Sequence, residues 1–380
     1  MDLMEYKAHE LFALNGIPVN ANVLGETSQE LAHKAKGMKF PLVIKAQVMT
    51  GGRGKAGGIK FAENIEELKE KADQIIGMDI KGHIVKKVMA VQKADVLKEM
   101  YLSVMLDRFS KCPVIIFSPA GGVEIEETAK TNPELVIKTV INPLLGLKEY
   151  AIKYLAQKAD ISSELYDEFK DIIYKLYNTF IKHDCLLCEI NPLVITKGGH
   201  IIALDGKVSV DDSAVSRQPI VAEYAKTLTN HPLVDEAKTF NFLYIPCDET
   251  GNIAVMSNGS GMLMSCIDLI SKKGMKVRAS LDMGGGATAE RIKEALRIIL
   301  SDTNTKILFI NIFGGITRCD EVARGIRMAI ESGIKNEIVV RFEGTNKAEG
   351  LKILEGLETV KYVPGLVEGV SELLARGELK

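Results

Sequence analysis

The chain has 380 residues, 46% of them hydrophobic and 26% charged, with a formal net charge of −2. That length accommodates two or three domains with substantial cores. A near-neutral balance argues against a nucleic-acid partner. No apolar run approaches the roughly 18 residues that a membrane-spanning helix needs, so no membrane role is expected. The opening Met1-Asp2-Leu3-Met4-Glu5-Tyr6-Lys7 is mixed in charge and helical in pattern, unlike a secretion signal or an Arg-rich transit peptide. The expected compartment is the cytoplasm, or the mitochondrial matrix if a presequence was removed. Of six cysteines only Cys185 and Cys188 lie close together. Without a second ligand pair at similar spacing they read as buried thiols rather than a zinc site.

In chain order, a short helix is expected over 3–15, ended by Asn15-Gly16-Ile17-Pro18, then a helix from about Ser28 and a strand over 41–47. Lys45 sits in the middle of that otherwise apolar strand, where a lysine either snorkels or meets an anion. The segment 51–58, GGRGKAGG, follows, with five glycines in eight residues. Such backbone can approach a ligand closely and aim successive N–H groups at it, while Arg53 and Lys55 add charge. Ala56 stands where a Walker A loop has Ser or Thr, so the segment reads as a phosphate flap of another kind. A charged helix is expected over 64–76, strands over 85–93, 99–107 and 114–118, and helices over 149–158 and 162–182.

Residues 186–207, LLCEINPLVITKGGHIIALDGK, read as a hairpin with a three-residue loop at 197–199. That loop pairs Thr196 with His200 and sets Asn191 opposite Asp205. Glu189, two residues earlier, points to the same face. A face carrying two carboxylates and a carboxamide suits Mg²⁺, which takes hard oxygen ligands and commonly accompanies nucleotide phosphates. A polar connector over 211–217 and a helical stretch near 221–240, interrupted at Pro232, lead out of this region.

In the second half, strands over 253–257, 277–281, 307–312 and 337–342 each run into a glycine-bearing turn and then a helix. This rhythm predicts a doubly wound parallel sheet with all four turns on its ligand-binding edge. Gly284-Gly285-Gly286 and Gly314-Gly315 open helices, which serves anion binding and tight strand–helix packing equally well. Asn258-Gly259-Ser260-Gly261 with Asp282 is a partial dinucleotide fingerprint, weakened by Met264 at its third glycine position, so an NAD oxidoreductase is a minor alternative. None of the six histidines lies in these turns. A covalent mechanism would draw its nucleophile from elsewhere.

The segments MDLMEYKAHELF, VIKAQVMTGGRGKAGG, GGVEIE, CEINPLVI, ALDGK, LDMGGGAT and NIFGGITRCD together resemble the β subunits of succinyl-CoA synthetases (succinate–CoA ligases, NDP-forming) over nearly the whole chain. The resemblance implies an ATP-grasp region over 1–236 and a flavodoxin-like CoA-ligase domain over 237–380. It implies an acid–thiol ligase active only with an α subunit that carries a phosphohistidine and the CoA site. By matching position, Lys45, Gly52, Arg53 and Gly54 would hold the phosphates of ATP or ADP, and Glu99 would sit near the nucleotide. Asn191 and Asp205 would bind Mg²⁺, and Glu189 would orient the visiting histidine. Asn258, Gly315, Ile316 and Thr317 would face succinate or a related dicarboxylate. Val91-Gln92 departs from an acidic pattern frequent in bacterial relatives and would line the base pocket, so GTP and GDP stay open beside ATP and ADP. Malate–CoA ligase subunits share these motifs, and a non-catalytic nucleotide-binding scaffold is the alternative of another class.

Overall fold

The computed structural model describes residues 1–228 and 231–377, and the chain divides into two compact units, 1–227 and 228–380. The first unit begins with helix Glu5–Leu14, which buries Tyr6, Ala8, Leu11 and Phe12 at helical spacing. Two further helices are started by side-chain caps. The Thr27 hydroxyl accepts the Glu30 N–H ahead of Ser28–Lys34, and Asn64 accepts the Glu67 N–H ahead of Ile65–Ile75. Both helices cover a four-stranded antiparallel sheet in the order Asn22–Gly25, Lys87–Gln92, Leu42–Gln47, Ile59–Ala62. Leu31, Ile44, Leu68, Ala72 and Ala90 are fully buried between them.

A second antiparallel sheet has the long strand Cys185–Thr196 at its heart. Val96–Asp107 pairs along one side of it, and the short strands Ile201–Ala203 and Gly206–Val210 share the other. Helix Tyr166–Lys182 lies against this sheet, burying Phe169, Ile172, Ile173 and Leu176. Thr196 donates its N–H to His200 at 2.8 Å, and Asn191 donates to the Asp205 carbonyl at 3.3 Å. The 197–199 loop and the Asn191–Asp205 register are therefore as the sequence predicts, and the same register runs on through Ile190–Gly206 and Glu189–Lys207. On the opposite edge, pairing with Val96–Asp107 is broken by a bulge at Asn191-Pro192, a device that re-aims side chains. Cys185 and Cys188 are buried free thiols. Helix Ile125–Thr131 and strand Ile137–Val140, which sequence periodicity does not mark, complete this unit.

The second unit is built on six strands in the order Leu243–Pro246, Val277–Asp282, Ile253–Ser257, Ile307–Gly314, Glu337–Gly344, Val360–Tyr362. The last five are parallel. Numbered among themselves they run 2-1-3-4-5, the flavodoxin-like order. Leu243–Pro246 is antiparallel and sits at the edge. The sequence pattern had suggested only parallel strands, but an antiparallel edge on such a sheet is common. Alternate residues serve opposite faces. Met256, Leu281, Ile310 and Val340 pack with helices Ala289–Ile299 and Cys319–Glu331. Val255, Phe309 and Val339 pack with Ser260–Lys272 and Leu366–Gly377. No described helix is long and apolar enough to cross a membrane.

Candidate functional site

In the first unit a cleft of about 270 Å³ is bounded by the start of the chain, the glycine-rich loop and the central strand of the larger sheet. Glu189, Asn191 and Asp205 all line it, together with Gly52 and Arg53. Asp2, Glu5, Glu124, Glu189 and Asp205 bring five carboxylates to its wall, against the two cations Arg53 and Lys207. A wall so rich in carboxylate would repel a polyphosphate unless a divalent cation came with it.

Beneath the cleft floor lies an ionic cluster that sequence reasoning missed in part. Lys45, 9% exposed, donates to Glu5 Oε1 at 2.6 Å and to the Leu204 carbonyl at 3.0 Å, and lies 3.9 Å from Asp205. Arg53 reaches the other Glu5 oxygen with one guanidinium nitrogen and Asp205 Oδ2 with the second, at 3.0 Å. The anion expected opposite a mid-strand lysine thus proves to be Glu5, in the first turn of the first helix. Burial alone would raise the Glu5 carboxyl, but Lys45 and Arg53 outweigh it and hold it well below the usual range. Asp205 is pushed the other way, chiefly by burial and by the Glu5 charge beside it. Two acids sharing two cations divide their protons unequally. The only sequence signal for Glu5 was its place in the MEYKAHELF segment.

The glycine-rich loop closes over this cluster. Gly58 donates its N–H to the Arg53 carbonyl at 2.9 Å, and its own carbonyl accepts from Ala46 at 2.8 Å. A Cβ at Gly58 would lie 2.7 Å from Ile80 Cδ1 and 3.1 Å from the Ala46 methyl, so only glycine lets the loop return so close to the strand. Gly52 and Gly54 are exposed and leave their backbone open to the solvent side. Lys55 is exposed as well.

Glu189 accepts a hydrogen bond from the Tyr101 hydroxyl at 3.1 Å. Burial raises its pKa, and Glu126 and Glu124 add to the rise, while Tyr101 and Lys207 pull against it. Asn191 clamps the neighbouring turn, its Oδ1 accepting from Gly122 N–H at 2.9 Å and its Nδ2 donating to the Val123 carbonyl at 3.0 Å. Glu99 is exposed on its strand with its carboxylate over Gly122, and it does not line the cleft. The oxygen donors of Asp205 and Asn191 on one cleft wall fit Mg²⁺ in type, hard and partly anionic.

In the second unit the four strand ends meet on one edge. Asn258 sits at the switch point between the adjacent strands Ile253–Ser257 and Ile307–Gly314. Its side chain accepts the Phe313 N–H at 3.1 Å and donates to the Phe313 carbonyl at 3.0 Å. Gly315 and Ile316 are exposed beyond it, Ile316 at 84%. Thr317 differs: it is buried, and its hydroxyl accepts the Gly286 N–H at 3.1 Å, tying one glycine turn to the other. Asp282 accepts from the Ser260 hydroxyl at 2.6 Å and from Gly284 N–H at 2.9 Å. Both its oxygens are engaged locally, which removes the carboxylate a dinucleotide ribose would require.

The family model described as an ATP-grasp domain matches residues 2–195, and the one described as CoA-ligase matches residues 256–360. A succinate–CoA ligase [ADP-forming] subunit beta of Rubrobacter xylanophilus is 42% identical over 355 residues, covering 93% of this chain and 92% of its own. A succinate–CoA ligase [GDP-forming] subunit beta of Thermus thermophilus is 40% identical over 376 residues, covering 99% and 98%. An ATP citrate lyase from Methanothrix soehngenii, solved with citrate and coenzyme A, superposes with a TM-score of 0.79 over 98% of this chain and 99% of that one. At 20% identity that likeness is one of fold. An ATP-grasp unit followed by a flavodoxin-like CoA-ligase unit, with relatives this similar over this length, means that the chain belongs to the β-subunit family of the succinate–CoA ligases, which are acid–thiol ligases.

Proposed function

We propose that this chain is the nucleotide-handling subunit of a hetero-oligomeric ligase that interconverts succinyl-CoA, phosphate and NDP with succinate, CoA and NTP. In this reading it passes a phosphoryl group between the nucleotide and a histidine carried by an α subunit. The observation that carries it is the cleft of the first unit, where Glu189, Asn191 and Asp205 share a wall with Gly52 and with Arg53, which joins Lys45 below through Glu5. Lys45, Arg53 and the open backbone of Gly52 and Gly54 bind the phosphates, and Glu99 stands near the nucleotide. Asn191 and Asp205 hold Mg²⁺, which when bound would offset charge on the transferring phosphoryl group. Glu189 orients the incoming imidazole by accepting its N–H. Positioning and charge stabilisation are what such a transfer asks of a protein, so no nucleophile of this chain is needed. In the second unit, Asn258 and the Gly315–Thr317 turn form the end that receives the dicarboxylate. Gly315 and Ile316 are exposed to it, and Thr317 holds the turn in place.

The test is transfer of label from γ-labelled ATP and GTP, with this chain alone and co-expressed with an α subunit, with and without Mg²⁺. Label on an α-subunit histidine only when both chains and Mg²⁺ are present supports the reading, and the two rates rank the bases. Label transfer by this chain alone, or none from either nucleotide, overturns it.

A further inference from the structure

The cleft contains a carboxylate that this reaction does not explain. Glu5 is 5% exposed, and its two oxygens take Lys45 at 2.6 Å and Arg53, the same two cations assigned to the phosphates, with Gln47 Nε2 at 3.3 Å as a weaker third donor. Without a bound anion, the buried Lys45 and the largely buried Arg53 would need counter-charge, because isolated buried charge is strongly unfavourable. Asp205 supplies part of it, at 3.0 Å from Arg53 and 3.9 Å from Lys45. The two acids and two bases neutralise one another, but while Arg53 holds Asp205 that carboxylate is not free to serve a metal ion.

One turn along the same helix, His9 is 1% exposed, and neither ring nitrogen has a hydrogen-bond partner among the described residues. Its Nε2 lies 3.8 Å from Glu5 Oε1, too far for a hydrogen bond and near enough to make one after a small shift. Burial keeps the imidazole neutral, lowering its pKa to about 4, so it offers one N–H and no charge. A buried histidine with both nitrogens idle calls for an explanation.

We infer that Glu5 is a positioning residue acting as a built-in stand-in for phosphate: it holds Lys45 and Arg53 in the empty cleft and yields them to the nucleotide, moving its own carboxylate to His9. The exchange frees Asp205 from Arg53 at the moment the phosphates arrive. It leaves both cations paired with an anion in either state and gives the released carboxylate a hydrogen-bond donor in His9, and it rests on the reading of Lys45 and Arg53 as phosphate ligands.

Two variants of the complete α–β enzyme test it by calorimetry and thermal unfolding with Mg-ADP. In Glu5→Gln the empty site loses a counter-ion that the occupied site does not use. The variant should bind Mg-ADP roughly tenfold more tightly, melt lower when empty, and show a larger nucleotide-induced rise in Tm than wild type. A glutamate that merely braced the fold would lower both melting temperatures alike and leave Kd unchanged or weaker, and that result overturns the inference. His9→Leu removes no hydrogen bond from the empty enzyme, so its empty Tm should hold, while Kd for Mg-ADP weakens several-fold because the released carboxylate lacks its donor. An unchanged Kd in His9→Leu overturns the exchange even if Glu5→Gln fails to fold. Absence of Mg-ADP binding by the wild-type enzyme would remove the nucleotide reading itself, and this inference with it.

Discussion

The Tyr101 hydroxyl donates to Glu189 Oε2 across 3.1 Å. Ser103 lies directly opposite Glu189 on the paired strand, and Tyr101 is the next residue on that face. The phenol is buried, with its pKa raised by that burial and by the carboxylate, so it stays a donor at any working pH. It fixes which way the Glu189 carboxylate points. Tyr101→Phe keeps the ring and its packing but deletes that donor. A hydrogen bond to a charged group is worth about 1.5–3 kcal/mol, so kcat should fall roughly tenfold or more while KM for the nucleotide stays near wild type. Steady-state kinetics with the nucleotide varied checks it. A rise in KM with kcat intact would mean that Glu189 acts in nucleotide binding instead.

Gly58 supports a second prediction. A methyl group there would meet Ile80, Ala46 and the Arg53 carbonyl, all within 3.2 Å. Gly58→Ala should cost about 1–3 kcal/mol of stability, the usual scale of overpacking. The strain falls on the residue that bonds the Arg53 carbonyl, so KM for the nucleotide should rise several-fold and KM for succinate should not. Denaturant unfolding and two-substrate kinetics would separate these effects. Equal rises in both KM values would point to general disruption rather than a shifted Arg53.

How much of this was legible in the sequence differs between backbone and side chains. Four strands of the parallel sheet were readable because each is a short apolar run ending in a glycine-bearing turn, and burial on both faces admits little else; the fifth, Val360–Tyr362, has Lys361 at its centre and carried no such signal. The hairpin register followed from one three-residue loop, since the side-chain period of two leaves no freedom once Thr196 faces His200. Glu5 was invisible for the opposite reason. Its partners lie 40 and 48 residues away on other elements, and an acid in the first turn of a helix already has a local explanation in the helix dipole. Thr317 shows the same limit: adjacency to Gly315 placed it on the turn, but only the fold shows its hydroxyl committed to Gly286. The antiparallel edge strand Leu243–Pro246 carries no glycine turn and so gave no signal of its direction.

Asn258 spans the switch point of the second sheet by bonding both the N–H and the carbonyl of Phe313. Asn258→Ala removes both bonds and leaves the Phe313 backbone to water, at about 1–2 kcal/mol in stability. The Gly315–Ile316 turn follows directly from Phe313, so its loss of anchorage should raise KM for the carboxylic acid roughly tenfold and leave KM for the nucleotide unchanged. Asn258→Asp keeps one acceptor for the N–H but adds charge beside a site for an anion, and it should be worse than alanine for the acid. If alanine and aspartate are equal, the side chain acts only through the loop.

Asp320 gives a prediction in pH. It is 4% exposed at the start of helix Cys319–Glu331 and accepts hydrogen bonds from Arg318, Arg324 and Asn346. Burial works to raise its pKa, but those bonds prevail and bring it from 3.8 down to about 2. A folded pKa below the unfolded one means that the carboxylate stabilises the fold fully above pH 3.8, and that this contribution disappears as pH falls through about 2. Arg318 and Arg324 are themselves well exposed, so screening reduces the effect to about 1 kcal/mol at neutral pH. Asp320→Asn should therefore melt lower than wild type from pH 7 down to about 4 by a constant margin, and the two curves should converge between pH 4 and 2. Melting curves across that range decide it. A margin that persists to pH 2 would mean that Asp320 contributes by packing or neutral hydrogen bonding rather than by its charge.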